Sequence, residues 1–141
     1  SRSQIRERAL ELFGKMKLQD GERILKSYPF ELSGGMNQRV GIMMAMILKP
    51  ALLLADEPTS ALDVTVQAQV VREMMKLRDS YGTGIAIVTH NMGVVEYMAD
   101  KIAVMHQGRL VEYGPKEQVI YHPREAYTKK LLGAVLRIHR G

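Results

Sequence analysis

Residues 51–63 read Ala-Leu-Leu-Leu-Ala-Asp-Glu-Pro-Thr-Ser-Ala-Leu-Asp, and they are the part of the sequence that indicates the fold most clearly. The apolar run from Ala51 to Ala55 predicts a short β-strand that is buried on both faces. Asp63 predicts the N-cap of a helix that ends near Asp79, and a second apolar run, residues 85–89, predicts another buried strand. A strand, a helix and a strand in this order predict a right-handed, parallel βαβ unit.

The segment before this unit predicts two helices. Residues 4–18 place apolar side chains on one face at helical spacing, which is typical of an amphipathic helix. Because proline disfavours helical backbone in the residue before it, Tyr28–Pro29 predicts a break in the chain. Ser33 predicts the start of the second helix, which ends before Pro50.

The segment after the unit predicts smaller elements. A short helix is expected over residues 93–98, followed by two strands, over residues 102–105 and 109–112, that flank a tight turn at residues 106–108. Further helical segments are expected over residues 115–120 and 127–136. The predicted fold class is therefore α/β, with parallel strands, a β-hairpin and flanking helices.

The composition is that of a globular protein with its own core. The chain has 141 residues, of which 46% are hydrophobic and 25% charged, and this balance excludes disorder for most of it. No apolar run is long enough to span a bilayer, and we expect no signal peptide. The absence of cysteine excludes disulfides and thiolate metal sites. We interpret the ten methionines as adaptable core filler.

The basic residues are dispersed along the chain and give it a net charge of +5. A basic balance is compatible with nucleic acid, an anionic membrane surface or a phosphate ligand. Two phenylalanines and no tryptophan leave little material for stacking on single-stranded bases. We therefore expect mostly solvated surface charge and no nucleic-acid partner.

A serine and two glycines, Ser33, Gly34 and Gly35, open the second predicted helix. Free N–H groups, the missing Cβ atoms and the positive end of the helix dipole suit a phosphate at such a place. For these three residues alone, a simple capped helix start explains the pattern better than a phosphate-binding site does.

Two acids follow the first predicted strand, and a histidine follows the second. Ligands of parallel sheets bind beyond the carboxyl ends of the strands, so Asp56, Glu57 and His90 are expected at one edge. Asp56 is suited to Mg²⁺, which prefers oxygen ligands, and Glu57 to polarising an attacking water. Pro58 is expected to keep Glu57 extended, and His90 is suited to a terminal phosphate. Taken singly, Asp-Glu is also common in an acidic loop after a strand, and a lone histidine is more often structural.

The order and spacing of these features resemble the second half of an ABC nucleotide-binding domain, which is a P-loop NTPase. The resemblance runs through Leu-Ser-Gly-Gly-Met-Asn-Gln-Arg at residues 32–39, through residues 52–63 and through His90. It implies roles for particular residues. ATP binding falls to Ser33, Gly34, Gly35, Gln38 and Asp63, Mg²⁺ binding to Asp56, and catalysis to Glu57 and His90.

Two further features are similar to the oligopeptide, dipeptide and nickel importer branch of that family. Met36 replaces the commoner glutamine, and residues 121–132 resemble the segment that follows the hydrolytic core in peptide importers. The resemblance implies an ATP-hydrolysing subunit at the cytoplasmic face of the membrane, not inserted in it. It also implies a head-to-tail dimer with a second nucleotide-binding subunit and contact with transmembrane permease subunits. Peptides are the first expected cargo and nickel the second.

The sequence contains no Gly-x-x-x-x-Gly-Lys-Ser/Thr, the Walker A loop that cradles phosphates in this family. We therefore expect the chain, which begins at Ser1, to be a part of a longer cassette with no ATPase activity alone. An uncovered apolar sheet edge would then favour oligomerisation. Three parts are expected. Residues 1–50 contain the helix that begins with the family's signature motif, residues 32–39. An α/β core follows over residues 51–114, and a helical tail over residues 115–141.

Two alternative functions stay open at this point. ABC-type ATPases of DNA maintenance share the signature helix, but they usually carry long coiled-coil insertions, and no heptad run occurs here. Salt-dependent binding to duplex DNA would favour that alternative. A non-enzymatic module that pairs with an intact cassette is the second alternative, and a pull-down with and without ATP would identify it.

Overall fold

The structure is a computed structural model that describes residues 1–138. The chain divides into two compact units, residues 1–90 and residues 91 onward. The first unit contains α1 Arg2–Lys15, α2 Gly21–Ile24, a 3-10 turn Pro29–Glu31, α3 Gly34–Met46, β1 Leu52–Asp56, α4 Val64–Tyr81 and β2 Gly84–Val88. The second unit contains α5 Met92–Met98, β3 Lys101–His106, β4 Arg109–Pro115, α6 Lys116–Tyr121 and α7 Ala126–Ile138.

The predicted parallel strand–helix–strand unit is confirmed. β1 and β2 pair in parallel, in a register that sets Leu52 opposite Gly84. Asp63 caps α4, because its Oδ1 accepts a hydrogen bond from the Val66 N–H at 2.9 Å. The helix ends at Gly82, whose φ of 65° lies in the left-handed region that glycine adopts without a Cβ penalty.

Helices α1, α3 and α4 pack against one another and form the core of the first unit. Three methionines, Met16, Met46 and Met74, are almost fully buried there, which confirms the interpretation as core filler for these three. The interpretation is wrong for Met44 and Met105, which are 70% and 56% exposed. The helical pattern over residues 4–18 is also correct in its main part. Ile5 is an exception, since this side chain is 60% exposed on the first turns of α1.

The prediction that both strands are buried on both faces is wrong. Leu53 is buried, but its neighbours Leu52 and Leu54 are 54% and 73% exposed, and Val88 on β2 is 65% exposed. Successive side chains of a strand point to opposite faces, so one face of this two-stranded sheet is covered and the other is a bare apolar surface. We call Leu52, Leu54 and Val88 the open sheet face.

The second unit is built on the predicted β-hairpin, which is confirmed. β3 and β4 are antiparallel and are joined by Gln107 and Gly108, both with positive φ (48° and 75°). Two residues of positive φ match the twist of a hairpin, which explains why the turn is this short. The strands are longer than predicted, and a register shift separates Val104 from Met105.

The predicted fold class is confirmed as α/β with parallel and antiparallel pairs. The short helix α2 and the 3-10 turn were not predicted. The division of the chain into three parts at residues 50 and 114 stays a prediction. Within the residues that the structure describes, no helix combines the length and the apolarity needed to cross a membrane.

Candidate active site

The carboxyl ends of β1 and β2 carry the first group of predicted site residues. Asp56 is the last residue of β1 and pairs in register with Val88. The Glu57 N–H then donates to the Val88 carbonyl oxygen at 2.8 Å, which carries the strand pairing one residue further. Asp56, Glu57 and His90 therefore lie at the same edge of the sheet, as the sequence predicts.

The backbone of Glu57 differs from the prediction. Its φ is +44°, in the left-handed region, whereas Pro58 was expected to keep it extended. The preference that proline imposes is weaker than the tertiary hydrogen bonds that hold this residue to β2. Ala61, at the other end of the same loop, has a φ of +60°. Non-glycine residues hold such conformations only where the surrounding structure imposes them, and they cluster at functional sites.

Three donors from the end of β2 hold the Glu57 carboxylate. Oε1 accepts from the His90 N–H at 3.1 Å and lies 2.7 Å from His90 Nδ1. Oε2 accepts from the Thr89 hydroxyl at 3.3 Å. The carboxylate is thus oriented by two residues that directly follow the neighbouring strand, and lone pairs remain for a further donor such as water.

This contact also sets the protonation of Glu57. The hydrogen bond from the His90 side chain holds the pKa of the Glu57 carboxyl below its ordinary value, and the His90 N–H and the Thr89 hydroxyl act in the same direction. Glu57 is therefore ionised at neutral pH and can accept a proton or a hydrogen bond. The His90 ring itself is 86% exposed, so its outer face is open to a ligand.

Asp56 presents its carboxylate to solvent beside Glu57. Carboxylate oxygen is the ligand type that Mg²⁺ prefers, and Mg²⁺ keeps several waters and takes further oxygens from bound phosphates. Among residues 1–138, no three or more histidine, aspartate or glutamate side chains cluster as metal ligands. Asp56 therefore fits a one-carboxylate magnesium site rather than an all-protein cage.

The second group of predicted residues lies around a groove between the start of α3 and the start of α4. The Ser33 hydroxyl caps α3 by accepting from the Met36 N–H at 3.3 Å, as Asp63 caps α4. The walls of the groove come from the Ser33 turn (residues 33–35) with Met36 and Arg39, and from the Asp63 turn (residues 61–63) with Val66. Two helix N-termini with free N–H groups in their first turns thus border one groove.

The structure gives Gly35 a second reason to be glycine. A Cβ atom at Gly35 would lie 2.7 Å from Cγ1 of Val66, closer than side chains approach in proteins. At Gly34, the nearest atom to such a Cβ is 3.9 Å away on Leu62, an ordinary contact. Gly35 therefore permits close packing of α3 on α4, whereas a side chain at Gly34 would meet only the ordinary contact with Leu62. Gln38 lies one turn further along α3 and is partly buried.

The predicted site residues therefore lie in two separate groups within the first unit. Asp56, Glu57 and His90 meet at the sheet edge, and Ser33, Gly34, Gly35 and Asp63 meet at the groove. Thr89 was not predicted, although a hydroxyl just before a strand-end histidine was a visible signal. Arg39, which also lines the groove, was not predicted either.

Comparisons with known proteins agree with this architecture. Residues 2–60 match the profile of the ABC transporter family. The chain is 49% identical over 138 residues to a Brucella melitensis protein that carries the name of a peptide import ATP-binding protein. It is 44% identical over 138 residues to the oligopeptide transport ATP-binding protein OppD of Salmonella typhimurium. Each alignment covers 98% of this chain and 41% of the relative, so the chain spans about two fifths of their length.

Solved structures show the same likeness. The ATP-binding subunit of an ABC transporter matches with a TM-score of 0.69 and 28% identity, over 96% of this chain and 56% of that one. A dimeric ATP-binding cassette in a post-hydrolysis state, bound to ADP and Pi, matches with a TM-score of 0.66 and 31% identity. That second match covers 77% of this chain and 46% of the other. The signature at residues 32–39, the acids after β1 and the agreement in sequence and fold place this chain in the ABC transporter ATP-binding family.

Proposed function

We propose that this chain provides one face of the ATP-hydrolysing site of an ABC importer subunit. The observation that carries the proposal is the contact between Glu57 and His90 at the carboxyl end of the parallel sheet. A carboxylate that is ionised, oriented and beside an exposed imidazole is suited to act on a water and a terminal phosphate. The reaction is the hydrolysis of ATP to ADP and phosphate.

Each residue at the sheet edge has a part in this proposal. Glu57 orients and polarises the attacking water through the lone pairs that Thr89 and His90 leave free. His90 presents the outer side of its ring to the γ-phosphate. Asp56 holds Mg²⁺, directly or through water, and the ion supplies neutralisation of phosphate charge.

The groove has a different part. The free N–H groups of the Ser33 turn suit the γ-phosphate of an ATP that is held by a second subunit, and Gln38 and Asp63 support the same contact. Such a site requires two subunits that pair head to tail. One solved neighbour is described as dimeric, which supports this arrangement.

The cargo and the other partners follow from the relatives. The Brucella and Salmonella proteins are named for peptide and oligopeptide import, so we propose peptides as the cargo and membrane permease subunits as partners. An ATPase of this kind acts at the cytoplasmic face of the membrane. Alone, without a Walker A loop in its sequence, the chain is expected to hydrolyse no ATP.

A chimera tests the proposal. The 138 matching residues of the Brucella relative are replaced by those of this chain, and steady-state ATP hydrolysis is measured. We expect hydrolysis that falls by about 10² to 10⁴-fold in Glu57→Gln, the range for loss of a general base. Glu7→Gln, an exposed change on α1, is the matched control. A folded, ATP-binding chimera that hydrolyses equally well with Glu57→Gln would contradict the proposal.

A further inference from the structure

An ion pair is buried between α3 and α4. Arg39 Nε lies 3.2 Å from Glu73 Oε2, and the two side chains are only 10% and 2% exposed. Gln69 Nε2 donates to the other carboxylate oxygen, Oε1, at 3.1 Å. Glu73 thus accepts a hydrogen bond at Oε1 and faces the Arg39 charge at Oε2, without a hydrogen bond between Nε and Oε2.

Stability alone is a poor explanation of this pair. Removing two charges from water costs more than their attraction commonly returns, and apolar residues of similar size often stabilise a core equally well or better. Burial raises the pKa of the Glu73 carboxyl, while the charge of Arg39 opposes that shift. Buried ion pairs that persist in spite of this cost have their best-attested use in setting the register between elements.

The position of the pair fits such a use. Near their N-termini, α3 and α4 already approach closely where Gly35 faces Val66. The Arg39–Glu73 contact lies further along the same two helices. Apolar contacts are non-directional and allow helices to slide, whereas two buried opposite charges favour one close separation, here 3.2 Å between Arg39 Nε and Glu73 Oε2. Two fixed contacts along one helix pair set its translation and its rotation.

We propose that Arg39 and Glu73 are a positioning pair that fixes the spacing between the Ser33 turn and the Asp63 turn across the groove. The groove lies between those two turns, and Arg39 is part of its wall. The consequence for catalysis rests on the proposed function, because a phosphate held between two turns requires both at a defined distance. A misplacement of about 1 Å at such a site costs about 10²-fold in rate.

The register itself is measured on the full chain, independently of any activity. The chain has no cysteine, so spin labels at Gly41→Cys on α3 and Ala68→Cys on α4 are unambiguous. Both positions are exposed, and a side chain at Gly41 meets no atom within 4 Å. We expect one narrow distance distribution that broadens or shifts in Arg39→Met/Glu73→Leu, with the unfolding temperature retained.

Two further variants complete this experiment. Glu73→Gln keeps the shape of the side chain and removes its charge, so it tests the pair even if the apolar double variant does not fold. Arg6→Met/Glu22→Leu removes an exposed ion pair of the same unit and is the matched control. A folded Glu73→Gln or double variant with the unchanged narrow distribution would overturn the proposal.

The catalytic consequence is measured in the chimera. The double variant is expected to lower kcat for ATP hydrolysis by about 10²-fold at retained stability. If the parent chimera hydrolyses no ATP, the proposed function fails while the distance measurement still decides the role of the pair. An altered distance distribution with an unchanged kcat would overturn the catalytic part of the inference.

Discussion

His90 Nδ1 lies 2.7 Å from Glu57 Oε1, and the backbone N–H of the same histidine donates to the same oxygen. One residue that follows β2 thus holds the glutamate that follows β1, by its main chain and its side chain together. The main-chain contact depends only on the parallel pairing of the strands. The side-chain contact depends on the identity of residue 90, and it can therefore be removed separately.

Replacing His90 by alanine is expected to raise the pKa of the Glu57 carboxyl toward its ordinary value. The His90 side chain is the largest cause of the lowered pKa, while the backbone N–H and Thr89 remain in the variant. The pKa is measured from the ¹³C chemical shift of the labelled carboxyl across an acid titration. His122→Ala, a change at another exposed histidine, is the control. An unchanged pKa in His90→Ala would contradict the importance of the contact.

Gly35→Ala is expected to destabilise the first unit by about 1–3 kcal/mol, the usual cost of overpacking. The added Cβ would meet Val66 Cγ1 at 2.7 Å, and a branched side chain has little freedom to move aside. Gly34→Ala is the matched control and should change the free energy of unfolding by no more than about 0.5 kcal/mol. Urea denaturation measures both. Equal effects at the two positions would show that α3 does not pack closely on α4.

Glu112→Gln is expected to loosen the start of α7 from the hairpin. Glu112 on β4 accepts hydrogen bonds from the N–H groups of Arg124 and Glu125 just before that helix, at 2.9 and 3.2 Å. The Arg124 N–H is the main cause that lowers the Glu112 pKa to about 2. Hydrogen exchange of the first α7 amides at neutral pH should become faster in the variant but not in Glu117→Gln.

The low pKa of the Glu112 carboxyl also predicts that the stability of the protein decreases at acid pH. Because the folded pKa of Glu112 is lower than the unfolded one, its stabilisation is present above the ordinary value of 4.5 and is lost as the pH falls toward about 2. Thermal unfolding of the parent should therefore lose stability over this window. Glu112→Gln should lose less over the same window, and an identical loss in both proteins would exclude this role of Glu112.

The open sheet face is expected to make the chain self-associate with rising concentration. Leu54 and Val88 are 73% and 65% exposed on an apolar surface beside unpaired strand edges. Leu54→Thr/Val88→Thr keeps good strand formers and should shift sedimentation toward the monomer. Leu48→Thr, which changes a leucine that is 84% exposed and lies outside the sheet, should not shift it. A parent chain that stays monomeric at high concentration would contradict the expectation.

Sequence reasoning predicted those features that are encoded locally. Ser33 and Asp63 cap helices because a short polar side chain before an apolar pattern has one usual meaning. The hairpin turn at Gln107–Gly108 is also encoded locally, by a glycine between two short strand patterns. The continuous apolar run of β1 was misread, since such a run contains no information on which face the rest of the fold covers.

The features that escaped prediction depend on partners distant in the sequence. The left-handed φ of Glu57 follows from its hydrogen bonds to residues 88–90, which outweigh the local effect of Pro58. The need for glycine at position 35 is set by Val66, and the role of Arg39 by Glu73. No pattern within a helix reveals such pairs, because they exist only once the helices are packed.

The proposed function requires this chain to supply one face of an ATP site that two subunits share. Complementation between two inactive chimeras tests this requirement. One chimera carries Gly34→Asp, which places a charge in the open space before the Ser33 turn. The other carries an alanine at the lysine of the Gly-x-x-x-x-Gly-Lys-Ser/Thr loop, which we expect in the part of the chimera that comes from the Brucella relative. In a head-to-tail dimer of the two, one site is intact. We predict that each chimera alone hydrolyses almost no ATP and that the mixture recovers activity, whereas a mixture no more active than its two components would contradict the shared site.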